Sequence, residues 1–203
     1  MIHRSGTGWA SLKSSPLELF YFVWLLAHAY VAIFIDCQAL YPSWILQFFP
    51  QFLLELPKTW DEIAGDPLVR SLTAEGAGRV NEFTWFWALT LTNEALVEIP
   101  TAIIGAVGLW KNYRANWIIV FIYGLVTSFS LIPCIATIWF APAPGMTSDL
   151  TMVTLSDTQK KIIIGSYSPY FLVPFLMAVD SGRRIWNFIA ISEQVQAKAV
   201  KVE

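Results

Sequence analysis

The stretch Leu17-Glu18-Leu19-Phe20-Tyr21-Phe22-Val23-Trp24-Leu25-Leu26-Ala27-His28-Ala29-Tyr30-Val31-Ala32-Ile33-Phe34-Ile35-Asp36-Cys37-Gln38-Ala39-Leu40 decides the fold. It exceeds the roughly 20 residues that cross about 30 Å of hydrocarbon as helix. It contains no Lys or Arg, yet Asp36 lies near its end. Glu94 sits in the same way inside Phe83 to Trp110, which also lacks Lys and Arg. A carboxylate in hydrocarbon costs about 3 kcal/mol even on the mildest scales, so such a residue faces a bundle interior, a proton partner or a cation. The two acids together point to an acidic pocket buried in a membrane.

Two further runs, Trp117 to Phe140 and Ile162 to Val179, bring the expected spans to four and the fold class to an all-α, four-helix transmembrane bundle. Composition agrees: 203 residues, 56% hydrophobic, 15% aromatic and 14% charged make one polytopic membrane domain. A net charge of −2 with scattered basic residues excludes a nucleic-acid footprint. The first run is too long for a cleaved signal peptide and reads as a signal anchor. At its start, Ser15, Pro16 and Glu18 match a capping box with proline in the first turn. Arg4, Lys13, Lys111, Arg114, Arg183, Arg184, Lys198 and Lys201 fall on one side, which places both termini in the cytoplasm by the positive-inside rule. Cys37 and Cys134 lack metal-ligand spacing and are expected as free thiols; no metal and no cofactor is expected.

The expected organisation is a cytoplasmic N-terminus (1–16), the four-helix domain (17–179) and a cytoplasmic tail (180–203). The one long connection, 41–82, is too interrupted by Pro50 and Pro57 to span and reads as a segment that lies in the membrane interface or folds over the bundle mouth as a lid, with Thr73 to Gly78 as its flexible part. Ser156 and Gln159 match a cap for the last helix.

On the second span Thr90, Glu94, Glu98 and Thr101 recur at three- and four-residue spacing and form one inward polar stripe. Glu94 lies roughly 16 Å into that helix at the ordinary rise. Pro133, Pro169 and Pro174 each free a carbonyl and bend their helices, as membrane helices tolerate beside a cavity. If Asp36 and Glu94 meet, they share one proton and present a single negative charge. In an aromatic cage, that charge suits a protonated amine or the polar head of a sterol. Blander readings stand beside these. Asp36 also fits an interfacial helix-end carboxylate, Glu98 a structural hydrogen-bonder, and His28, roughly 80° from Asp36 around the helix, a packing histidine.

Phe34-Ile35-Asp36-Cys37-Gln38-Ala39-Leu40-Tyr41-Pro42, Asp66-Pro67-Leu68, Asn93-Glu94 with Ile99-Pro100, Leu131-Ile132-Pro133 and Tyr167-Ser168-Pro169-Tyr170-Phe171-Leu172-Val173-Pro174-Phe175 together resemble the sigma-2 receptor branch of the EXPERA superfamily, which also contains the emopamil-binding sterol isomerase. The resemblance implies a homodimeric four-helix protein of the endoplasmic reticulum that binds sterols or cationic amphiphilic amines. It implies Asp36 as the amine's counter-ion and Glu94 as its protonated partner. Tyr170 and Ser130 would line the pocket, Gln38 and His28 would lie near it, and Asp66 would fix the lid. Glu98 stands where the family pattern has glutamine and adds acidity. The tail lacks the dilysine pattern, so retention would rest on another feature.

Three functions follow as expectations. The first is a nonenzymatic sterol or lipid-binding receptor with a role in sterol homeostasis. The second is a sterol double-bond isomerase, which needs an acid and a base across the ring, and the second to fourth spans contain no histidine. The third is a membrane interaction factor of the endoplasmic reticulum supporting delivery of mitochondrial precursor proteins, as fungal relatives of the branch imply.

Overall fold

The computed structural model describes residues 6–73, 83–146 and 153–200. The described residues are mostly helical, with no strand among them. In chain order they form α1 (Gly8–Lys13), α2 (Pro16–Phe34), a 3-10 turn (Asp36–Leu40), α3 (Ser43–Leu46), α4 (Gln51–Ala64) and α5 (Pro67–Thr73). The second half is α6 (Thr84–Leu89), a π-helical segment (Thr90–Glu98), α7 (Ile99–Trp110), α8 (Asn116–Phe140) and α9 (Asp157–Val200).

Three helical stretches are long and apolar enough to cross a bilayer: Pro16–Leu40, Asn116–Phe140 and Asp157–Ala197. Their outer faces carry exposed Phe20, Val23, Leu26, Phe129, Ile132, Leu172 and Leu176, the surface a lipid-embedded helix presents. The expected second span, Phe83 to Trp110, is laid down as three consecutive pieces, α6, the π segment and α7, none of which alone reaches that length. Their last piece lies inside the bundle. Ala102, Ala106 and Leu109 of α7 pack with Tyr21, Phe22 and Leu25 of α2, Trp117, Val120 and Tyr123 of α8, and Met177 of α9. Small residues let these helices approach closely. A Cβ on Gly124 of α8 would run into the backbone of Pro174 and Ala178 on α9, so those two helices meet main chain to main chain there.

α9 continues through the expected boundary at Val179 without a break and is roughly 66 Å long at 1.5 Å per residue. Past that boundary it carries Arg184, whose guanidinium bonds Glu18 and Asp180, each at 2.8 Å, and lies 4.0 Å from the centre of the Trp117 ring. This corrects the expected capping box. Pro16 does open α2, but Ser15 makes no side-chain cap and Glu18 turns to Arg184 instead. The matching cap on α9 does form, with the Gln159 amide donating to Ser156 Oγ (3.3 Å) and Ser156 N–H donating to Gln159 Oε1 (3.0 Å).

The described part of the long connection, 41–73, is largely helical. Pro57 lies inside α4, and that helix ends only at Gly65, whose φ of 65° is the left-handed cap that favours glycine. Of the stretch expected to be flexible, Thr73 closes α5, and the remainder lies outside the described residues.

Candidate functional site

α2 ends at Phe34, and the chain tightens into the 3-10 turn that begins with Asp36. Gln38 fixes that turn. Its Nε2 donates to the Phe34 carbonyl (2.7 Å), one of the acceptors left over at the end of α2, and to the Leu53 carbonyl (2.8 Å) in α4. The Leu53 carbonyl is the one that an amide at position 57 would have served, and Pro57 has none. Gln38 therefore ties the end of the first span to the lid across the proline. Tyr41 adds a bond from its hydroxyl to the Ile33 carbonyl (3.0 Å). Because Asp36 belongs to this turn and not to α2, the 80° helical offset from His28 does not govern where it points.

Asp36 faces Glu94 closely enough for their carboxyl groups to share a hydrogen bond. Two carboxyl groups can form such a bond only if one of them carries a proton. Glu94 and Glu98 both lie on the π segment, which closes with a bond from the Ile99 amide to the Glu94 carbonyl, five residues back. Pro100 follows directly and cannot donate to Leu96, so a widened turn at this place spares the chain the clash a regular α-helix would meet. Thr90, Asn93, Glu94 and Glu98 line one cavity. Thr101, expected on the same stripe, does not join them; its hydroxyl bonds back to the Val97 carbonyl (2.6 Å).

Glu98 has partners of its own. Its Oε1 accepts from Ser130 Oγ at 3.1 Å, and its Oε2 lies 4.0 Å from His28 Nε2. The other ring nitrogen of His28 contacts the Tyr123 hydroxyl, which also accepts from Trp24 Nε1 (3.1 Å). Tyr170 packs against both His28 and Trp24, with ring centres 5.4 and 5.6 Å apart. The structure thus brings together Asp36, Glu94, Glu98, His28, Gln38, Ser130 and Tyr170 around a cavity of about 710 Å³, in the range of small-molecule sites. Pro133, Pro169 and Pro174 lie within α8 and α9 and are not among its lining residues. Lys58 is the only Lys or Arg among the described lining residues, and it is an exposed lid residue beside Glu62.

The lid is anchored through Asp66, which is fully buried. Its Oδ1 caps α5 by accepting from the Leu68 amide (3.0 Å), and its Oδ2 accepts from Tyr167 on α9 (2.6 Å) and from Trp60 on α4 (3.2 Å). Lid residues Leu54, Trp60, Val69 and Leu72 close one side of the cavity. Sequence reasoning passes over Trp24, Tyr123, Thr127 and Tyr167. A signal for two of them is present: Tyr123, Thr127, Ser130 and Cys134 recur at four-, three- and four-residue spacing, a polar stripe of the same kind as that on the second span.

The family model described as EXPERA (EXPanded EBP superfamily) matches residues 52–181. The Sigma intracellular receptor 2 of Xenopus tropicalis is 26% identical over 163 residues, covering 79% of this chain and 85% of that protein.

Proposed function

The chain belongs to the EXPERA superfamily, and on that premise we propose that it is a nonenzymatic membrane receptor that binds cationic amphiphilic amines or sterols in the cavity under its lid. The observation that carries this reading is the Asp36–Glu94 contact, an acidic pair inside a largely apolar cavity with no Lys or Arg from the bundle helices among its described lining residues. With one shared proton the pair offers a single negative charge. Asp36 is then the counter-ion of a protonated amine, Glu94 its hydrogen-bonding partner, and Tyr170, backed by Trp24, the aromatic wall. A sterol would enter with its hydroxyl toward the acids and its rings against Leu46, Leu54 and Leu131. In this reading α6, the π segment and α7 form the fourth crossing, both termini face the cytoplasm, and the protein acts as a homodimer in sterol handling at the endoplasmic reticulum.

The deciding experiment is binding of a cationic amphiphile to the purified protein and to Asp36→Asn. Saturable binding lost in the variant supports the counter-ion role, and equal binding by both proteins overturns it.

One observation favours the isomerase alternative: α2 supplies the histidine that the other spans lack and brings it to 4.0 Å from Glu98. Incubation of the protein with a sterol carrying the unshifted ring double bond, read by mass-silent changes in chromatographic retention, tests it. Product formation that disappears in His28→Ala would replace the receptor reading.

A further inference from the structure

We infer that the cavity holds a second polar subsite, centred on Glu98 and Thr127, which takes a second hydrogen-bond donor of the same ligand, so that its preferred ligands are amphiphiles with two donor groups, a diamine above all. The inference rests on the proposed amine site at Asp36 and Glu94. Glu98 is buried and lines the same cavity, but its hydrogen bonding is only half complete. Oε1 accepts from Ser130, whereas Oε2 faces His28 Nε2 at 4.0 Å, beyond hydrogen-bonding distance. Thr127, 2% exposed and also lining the cavity, carries a hydroxyl that lies beside Glu98 without a hydrogen bond of ordinary geometry. Two polar atoms with unused capacity in a buried place are costly to leave so, and a ligand donor reaching both removes that cost.

The spacing sets the ligand. Glu98 follows Glu94 by four residues, at most about 6 Å of axial rise, so a second nitrogen a short alkyl chain away from the first reaches it. His28 faces Glu98 from α2, Ser130 and Thr127 face it from α8, and Asp36 and Glu94 lie toward the lid. Among these groups no Lys or Arg competes for the position.

The test compares dodecylamine with N-(aminopropyl)dodecylamine, binding to the full-length protein in detergent, in the wild type, Glu98→Gln, Thr127→Val and Asp36→Asn. The wild type should prefer the diamine by about tenfold, the worth of one charge-assisted hydrogen bond. That ratio should fall to near unity in Glu98→Gln and by about threefold in Thr127→Val, whereas Asp36→Asn should weaken both amines together. If Glu98→Gln does not fold, the nearly isosteric Thr127→Val carries the decision. Dodecylamine binding without any preference in the wild type overturns the second subsite and leaves the amine site standing, and so does a preference that survives both substitutions. Failure of the wild type to bind either amine overturns both.

Discussion

The protein buries acids at both ends of its bundle and treats them in opposite ways. At the end that carries α1 and the turn after α7, Arg184 stands between Glu18 and Asp180 and is itself stacked on Trp117, while the Tyr21 hydroxyl reaches Asp180 at 3.4 Å. At the lid end, Asp36 and Glu94 have each other, Glu98 has Ser130, and among the described residues no guanidinium or ammonium from the bundle helices lines the space. An acid with a cation from its own chain is already matched, and its removal is a matter of stability. An acid without one keeps its affinity for an external cation, at a cost to the fold. The same residue type is therefore structural at one end and available to a ligand at the other.

The largest expected effect breaks the first end. Arg184→Ala leaves Glu18 and Asp180 facing each other without their shared cation and should destabilise the protein by about 3 kcal/mol, read as a lowered unfolding temperature in detergent. No loss would mean that the Arg184 pairs resemble exposed surface bridges and that the contrast between the two ends is illusory. Asp36→Asn should do the reverse. It removes the charge that hydrocarbon penalises, so the unfolding temperature should stay the same or rise while affinity for a cationic amine falls by about a hundredfold, close to 3 kcal/mol. A marked loss of stability in Asp36→Asn would make that acid structural too.

How much of this is legible in the chain depends on whether a residue's energetics are local. Asp36 and Glu94 declare themselves because an acid in an apolar run is anomalous whatever surrounds it. Glu18 does not, because its spacing from Ser15 fits a capping box as well as an ion pair, and Arg184 lies 166 positions away. Ser156 and Gln159 carry the same capping pattern and keep it. The π segment is hidden for a different reason. Pro100 announces a disturbance, but widening and kinking relieve the same clash, and only the packing of α7 against α2 and α8 selects between them. That choice keeps Thr90, Glu94 and Glu98 on the cavity and leaves Thr101 off it.

The lid sharpens the comparison from the side of the cavity. Tyr167→Phe removes one of the donors to Asp66, so the bonds that remain from Trp60 and the Leu68 amide should keep α5 formed but hold the lid less firmly to α9. A hydrogen bond to a buried carboxylate supports a loss of about 2 kcal/mol, with faster amine dissociation as the lid loosens. Stability lost without any change in dissociation rate would separate the lid from the site.

Gln38→Ala should have the smallest effect, about 1 kcal/mol in line with interhelical hydrogen bonds inside membrane proteins, and it discriminates most finely. Gln38 lines the cavity, which fits a ligand contact, but both hydrogens of its amide are already given to Phe34 and Leu53. The amide nitrogen has no donor left for a ligand, and a cation would not seek one. What the substitution does remove is the partner of the Leu53 carbonyl, which Pro57 deprives of its usual amide. The lid helix should therefore show faster amide hydrogen exchange around Leu53 and Leu54 in Gln38→Ala, with amine affinity changed less than in Asp36→Asn. An affinity loss as large as that of Asp36→Asn, with exchange in α4 unaltered, would move Gln38 from the scaffold of the site to its contact surface.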